Sequence, residues 1–257
     1  MQEKNLIYDG SFDGFLSAIF YVFECNLKTV NIQNECIAQN GLFSKNETIL
    51  TEEVKANRVW KGLKSKLSSQ GRYQFYYAFL SEHKGVENLL LDYINYVFSQ
   101  SKKVDKNYSH LSILKVTQIA RMVGREKHRM EAFVRFRLTK DAIYFASIEP
   151  DFNVLPLIQK HFKRRYADQK WVIYDIKRGY GLFYNLDKVE IITMDFPEDF
   201  DFTKTDDFFF ASQEFEFQKL WQDYFKATNI KSRKNMKLHI KHVPKRYWKY
   251  LSEKQPG

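Results

Sequence analysis

Two acidic residues flank the point where a strand gives way to a helix: Asp9 and Asp13, within Tyr8-Asp9-Gly10-Ser11-Phe12-Asp13-Gly14. Backbone N–H groups at such a helix start can hold an anion. The lysine and glycine spacing of a phosphate loop is missing here, and Asp13 in the first turn would repel phosphate. The pair could instead hold magnesium, although no third ligand accompanies it, or Asp13 could answer the helix dipole. A second acidic set is Glu149-Pro150-Asp151 at the end of one strand, with Asp175 and Lys177 on another. It could be an acid–base group, or equally a capped turn beside a cross-strand ion pair. Asp9, Asp13, Glu149, Asp151 and Asp175 are therefore the catalytic candidates, and the sequence leaves open whether the protein catalyses anything.

The arginines suggest a different chemistry. Arg121, Arg125 and Arg129 fall at i, i+4 and i+8, with Lys127 and His128 beside them, which makes one basic stripe if the helix persists. Arg135 and Arg137 follow on the polar side of an alternating stretch. Five arginines could thus face one phosphate backbone, where bidentate contacts fix position without reading sequence. A solvated face paired with Glu126 and Glu131 would use the same residues. Further on, Arg233-Lys234 and Lys245-Arg246-Tyr247-Trp248-Lys249-Tyr250-Leu251 interleave bases with aromatics, a mixture suited to backbone neutralisation and base stacking. Tyr247, Trp248 and Leu251 also have the spacing of a docked terminal helix. His239-x-x-His242 is half a metal site, so no metal site and no cofactor are expected.

Elements must carry these groups. Residues 5–8 read as a strand, and Ser11 caps a helix to about Cys25 whose buried stripe is Phe12, Phe15, Leu16, Ile19, Val22 and Phe23. Residues 26–46 are polar and irregular. Helices are expected over 52–67, 73–81, 86–99 and 111–123, with a linker at 101–107. Ala132, Val134, Phe136 and Leu138 then alternate with Phe133, Arg135 and Arg137, which marks a strand. Strands at 142–148, 171–177, 181–184 and 189–194 surround a helix over 153–167 that carries Pro156 in its first turn. An acidic loop over 195–207, a helix over 213–228 and a basic stretch over 232–254, broken at Val243-Pro244, complete the pattern. Short hairpin connections predict an α+β fold: a helical N-terminal part (1–104), a central antiparallel sheet with a packed helix (108–195), and a helical basic C-terminus (196–257), all in one domain.

Composition sets the outer limits. A chain of 257 residues with 44% hydrophobic and 28% charged residues can bury a core without staples. Two isolated cysteines, Cys25 and Cys36, argue against a disulfide scaffold, a zinc ribbon or an iron–sulfur cluster. The apolar run 15–23 is too short to span a bilayer and lacks the flanks of a signal peptide, so the expectation is a cytoplasmic protein with no membrane partner. A net charge of +10 raises the expectation of a polyanionic partner, although a chain rich in Lys, Asn, Phe, Tyr and Ile is also what an AT-rich genome encodes.

The longest motifs fall in a familiar order. They are Tyr8 through Leu16, Arg121 through Arg137, Glu149-Pro150-Asp151, His161-Phe162 with Arg165-Tyr166, Trp171 with Tyr174-Asp175, and Arg233-Lys234-Asn235 with Pro244-Lys245-Arg246-Tyr247-Trp248. Over nearly the whole chain they resemble a bacterial family of DNA-repair and DNA-metabolism proteins built on a domain of unknown function. The resemblance implies DNA as the nucleic acid and a neighbouring radical-SAM protein as partner. Longer members of that family add a uracil-DNA-glycosylase-like domain, which is not expected within these 257 residues. The resemblance carries no catalytic residue over. The expectation is a DNA-binding accessory module for repair or modification, presented through Arg121, Arg125, His128, Arg129, Arg135, Arg137, Arg233, Lys234, Lys245 and Arg246. The alternative is an enzyme using the carboxylates beside an arginine-rich groove.

Overall fold

The computed structural model describes residues 4–36, 45–228 and 235–254. The chain divides into two compact units, Met1–Gly124 and Arg125–Gly257, and the division falls inside one long helix.

In the first unit, β1 (Lys4–Tyr8) is the centre of a three-stranded sheet, with β2 (Val30–Asn34) and β3 (Lys45–Thr48) parallel to it on either side. Between β1 and β2 runs α1 (Phe12–Glu24), capped by the Ser11 hydroxyl, which accepts from the Gly14 N–H at 2.9 Å. Its apolar stripe buries Phe15, Leu16, Ile19 and Val22, as the spacing predicts, whereas Phe12 is half-buried and Phe23, expected in the same stripe at the end of the helix, is exposed. Helices α2 (Glu53–Lys66), α3 (Ser69–Phe79) and α4 (Val86–Ser99) follow. Phe12, Phe15, Trp60, Phe75, Phe79 and Tyr93 meet ring to ring among them.

The outer strands β2 and β3 lie in a stretch expected to be irregular. They carry little apolar alternation because asparagines join them. Asn5 stands in register with Asn31 on one side and Asn46 on the other. The Asn5 amide donates to Asn46 at 3.1 Å, and that of Asn31 donates to Asn5 at 3.3 Å. Only Ile32 of β2 is buried.

Helix α5 runs over Leu111–Phe133, ten residues beyond the expected end at Val123. Ile113, Val116, Ala120, Val123, Glu126 and Met130, all buried, form a continuous helical stripe, with Ser112 and Thr117 buried beside it. The stripe passes through a carboxylate, so the apolar period breaks at Glu126 although the helix does not. The expected strand from Ala132 shrinks accordingly to β4, Arg137–Leu138.

The second unit holds a five-stranded sheet in the order β4-β5-β6-β7-β8, with β5 at Tyr144–Ile148, β6 at Trp171–Asp175, β7 at Tyr180–Tyr184 and β8 at Val189–Ile192. Every pair is antiparallel except β5–β6, which α6 (Leu155–Arg165) joins by a parallel crossover. All five residues of β6 are buried, which is why the strand shows no alternation of apolar and polar residues. One face packs Trp171 against Phe162 of α6 and Phe136. The other packs Phe145, Val172 and Tyr174 against Phe210, with Phe196, Phe202 and Phe209 around them. The acidic loop after β8 therefore covers a sheet face with its phenylalanines while its carboxylates face outward or cap turns. Helix α7 (Ser212–Thr228), α8 (Met236–His242) and two 3-10 helices (Lys245–Tyr250 and Ser252–Lys254) end the described chain. Among the described residues no helix is long and apolar enough to cross a membrane.

Candidate nucleic-acid interface

Three of the five candidate carboxylates come together in the second unit. Ile148 and Asp175 are in register at the carboxyl ends of β5 and β6, so the loop Glu149-Pro150-Asp151 leaves the sheet beside Asp175. Each carboxylate is engaged. Glu149 accepts from Lys249 Nζ at 2.6 Å and from the Tyr250 hydroxyl at 2.7 Å, and these partners hold its carboxyl below the usual range. Asp151 pairs with Arg246 at 2.5 Å. Asp175 is fully buried; it accepts from Arg178 Nη1 at 2.8 Å and from the Lys177 N–H at 3.0 Å. Burial raises its carboxyl above the usual range even though Arg178 draws it down. Arg178 Nη1 also donates to the Pro150 carbonyl at 3.2 Å, so the group clamps the loop.

Beneath that loop lies Glu126. Its side chain, 1% exposed, accepts from the Asp151 N–H at 3.0 Å, from Arg246 at 3.3 Å, from Arg129 at 3.4 Å and from the Tyr247 hydroxyl. Buried carboxylates persist only when satisfied in this way. The Tyr247 hydroxyl is pushed well above the usual phenol range, chiefly by burial and then by this carboxylate. The sequence suggests Glu126 only as a surface partner for arginines. The signal that marks it is its place on the buried stripe of α5.

The basic candidates separate into two groups. Arg129 and Arg246 serve Glu126. Arg135 forks onto Glu253 at 2.7 and 3.3 Å and donates to the Ala132 carbonyl at 2.7 Å. Arg137, expected on a polar strand face, is buried instead. It donates to the carbonyls of Phe202 and Lys204 and lies 4.3 Å from the Phe210 ring centroid. In contrast, Arg121, Arg125, His128 and Lys245 are exposed and make no hydrogen bond or ion pair among the described residues. Arg121 belongs to the first unit and the other three to the second. Arg164 of α6 is equally exposed and likewise makes no hydrogen bond or ion pair among the described residues. Glu131 of α5 approaches His161 of α6 at 3.8 Å, and His128 and Arg164 each lie one turn from a member of that contact. Arg233 and Lys234 lie outside the described residues.

Asp9 and Asp13 belong to the first unit. Asp9 accepts from Ser11 Oγ at 2.7 Å, the Ser11 N–H at 2.9 Å and Thr51 Oγ1 at 2.7 Å. Burial raises its carboxyl, but the Ser11 and Thr51 bonds outweigh this and leave it lowered. Asp13 is exposed in the first turn of α1, where it complements the helix dipole. Among the described residues no group of three His, Cys, Asp or Glu side chains could hold a metal ion.

Comparison with known proteins adds a family. No curated protein matches the chain. A solved structure titled "pGpG-specific phosphodiesterase - PggH from Vibrio cholrae" aligns at 8% identity and a TM-score of 0.31, covering 71% of this chain and 81% of that one. That likeness is too low to carry an argument. A family model described as a domain of unknown function, DUF4130, matches residues 84–253.

Proposed function

The chain belongs to the DUF4130 family, a domain of unknown function, and for it we propose the role of a DNA-binding accessory module. One observation carries this reading. The carboxylates of the second unit near its arginines are consumed within the fold, while a separate set of basic side chains is left facing solvent. Glu126, Glu149, Asp151, Asp175 and Glu253 each hold a named cation or hydroxyl. Arg125, His128, Arg164 and Lys245 hold none among the described residues. A surface whose positive charge is not internally neutralised attracts a polyanion and releases its counterions on contact.

The same observation weighs against the enzymatic alternative, because general acid–base work needs a carboxylate that can reach a substrate proton. Asp175 has the raised carboxyl such work favours, yet it is buried and bound to Arg178. Arg129 and Arg135 leave the proposed surface, since releasing them would strip Glu126 and Glu253. DNA as the polyanion, a task in repair or modification, and a radical-SAM protein as partner are parts of this proposal that rest on the family resemblance.

The test is fluorescence anisotropy with labelled single- and double-stranded DNA, titrated with salt. Replacing Arg125 and Arg164 by alanine is expected to weaken binding and to reduce the salt slope by about one unit for each phosphate that is no longer neutralised. Replacing Arg129 should alter stability rather than slope. An unchanged slope in the Arg125→Ala/Arg164→Ala protein, or no binding at low salt, would overturn the reading.

A further inference from the structure

The second unit contains a cavity of about 560 Å³, within the range of roughly 300–1,000 Å³ typical of small-ligand sites. Arg125, His128, Arg164 and Lys245 have no place in its lining; its walls come from β4, β5, α7, the loop at 202–205 and the 3-10 helices at the C-terminal end. Its inner and outer ends differ in chemistry.

At the inner end are three buried polar side chains, Arg137, Ser147 and Glu214, exposed by 9%, 6% and 6%. Arg137 has no carboxylate within ion-pair distance among the described residues. Its acceptors there are two backbone carbonyls and the Ser147 hydroxyl, so of the five guanidinium N–H groups some remain to donate. Glu214 accepts from the Leu138 N–H at 2.8 Å and from the Gln218 amide at 3.0 Å, and each carboxylate oxygen keeps a lone pair. Burial draws the Arg137 guanidinium below its ordinary range, and Glu214, Asp206 and Asp201 offset that through space from beyond ion-pair distance, so donors remain for a ligand to complete.

At the outer end the lining turns aromatic. Phe217 and Trp221 of α7 line the cavity and are 55% and 41% exposed; Tyr224, one turn on, stacks against Trp221 at 5.7 Å. Large aromatics left in water in this number need a reason, and flat faces beside a polar recess suit a flat polar ligand. Tyr144, Tyr166 and Tyr250 add further rings to the wall.

We propose that this cavity receives a single nucleotide turned out of a bound strand, with its base against the Phe217–Trp221 face and its polar edge toward Arg137, Glu214 and Gln218. This rests on the DNA-binding reading above and deepens it. An extruded base is read by stacking and by hydrogen bonds to its edge, and each base has a face that stacks. The Glu214 carboxylate accepts only, so it pairs with a donor on the base edge, an exocyclic amine or a ring N–H. A free nucleoside 5′-monophosphate offers the same chemistry, and the experiment separates the two sources.

The probe is a labelled duplex with one unpaired nucleotide, compared with the same duplex carrying an abasic residue there. The base-containing duplex is expected to bind about tenfold tighter, the worth of one base–aromatic stack. That preference should vanish in Phe217→Ala and in Trp221→Ala with the salt slope intact. Both side chains sit on the exposed face of α7, so the test does not depend on Arg137→Ala folding. Equal affinity for the two duplexes, with a normal salt slope, would overturn the cavity assignment and leave the DNA-binding surface standing. Absence of affinity for either duplex would overturn both the DNA-binding reading and the strand source. In that case nucleoside 5′-monophosphates are titrated against tryptophan fluorescence: quenching lost in Trp221→Ala would assign the cavity to the free nucleotide, and no quenching would remove the nucleotide site altogether.

Discussion

Adjacent residues of α5, Arg125 and Glu126, should respond oppositely to substitution, and the size of the difference follows from their surroundings. Replacing Glu126 by glutamine keeps one carbonyl oxygen, which can still accept from the Asp151 N–H. It exchanges the other oxygen for an amide that points donors at Arg129 and Arg246. The Tyr247 bond drops from charge-assisted to neutral, a loss of about 1 kcal/mol. The two arginine contacts are long, at 3.4 and 3.3 Å, and their side chains are 29% and 44% exposed, so each is discounted for screening to about 1 kcal/mol or less. Relief from burying a charge offsets part of this sum. The net expectation is about 2 kcal/mol of destabilisation. Alanine leaves the Asp151 N–H, the Tyr247 hydroxyl and Arg246 short of their shared acceptor, and roughly 4 kcal/mol follows at 1–3 kcal/mol for each stranded group, discounted for solvent. Arg125→Ala, at an exposed site without a partner, should stay within about 0.5 kcal/mol. Urea unfolding followed by tryptophan fluorescence reads the difference, since Trp171, Trp221 and Trp248 all lie in the second unit. With an m-value near 2 kcal/mol/M, about 2 kcal/mol appears as a midpoint shift of about 1 M. A glutamine variant within about 0.5 kcal/mol of the parent, or an alanine variant milder than glutamine, would refute the account of Glu126.

Two further outcomes follow from the site geometry. The Glu149 carboxyl is held low first by Lys249 and then by Tyr250, so its stabilisation is present above its ordinary value of 4.5 and is lost as pH falls through the lower folded value. Glu253, lowered by Arg135 against the effect of burial, has the same sign, whereas Asp175, raised by burial, has the opposite one. Acid titration of stability should therefore be flatter below about pH 4.5 in Glu149→Gln, and an unchanged profile would contradict the pairing. In the first unit, a methyl group at Gly14 would overlap the Asp9 carboxylate and lie 2.8 Å from Thr51 Oγ1. Gly14→Ala should cost about 1–3 kcal/mol in thermal unfolding, and a neutral result would mean that the Asp9–Thr51 bridge is dispensable.

Legibility in the sequence followed apolar periodicity. The stripe of α1, the proline-started α6 and the strands β5 to β7 can be read because most of their buried side chains are hydrophobic. The edge strands β2 and β3 cannot, because asparagine amides hold them together. The second half of α5 cannot, because its buried stripe passes through Glu126. The stretch after β8 looks acidic and loop-like from its aspartates, whereas its phenylalanines decide where it lies. At the site, residue type shows that arginines cluster but not which of them are free. Arg135 and Arg137 have the same chemistry as Arg125, and only the positions of Glu253 and of the carbonyls at 202 and 204 set them apart. The cavity wall draws on segments from Val134 to Ser252, a spread that no local pattern records.

The bonds from Glu126 to Tyr247, Arg135 to Glu253 and Glu149 to Lys249 close loops of 121, 118 and 100 residues. Closing such loops costs entropy before any contact repays it, and contacts of this sequence separation slow folding. The sheet and α6, built from neighbours in sequence, can assemble first, while the three ties wait for the last segment to arrive. Until then Glu126 lacks Tyr247 and Arg246, and the cavity lacks the wall that Tyr250 and Ser252 supply. The recess is thus a late product of folding: it is closed by the same segment that neutralises the buried carboxylate, so the two are completed in one step.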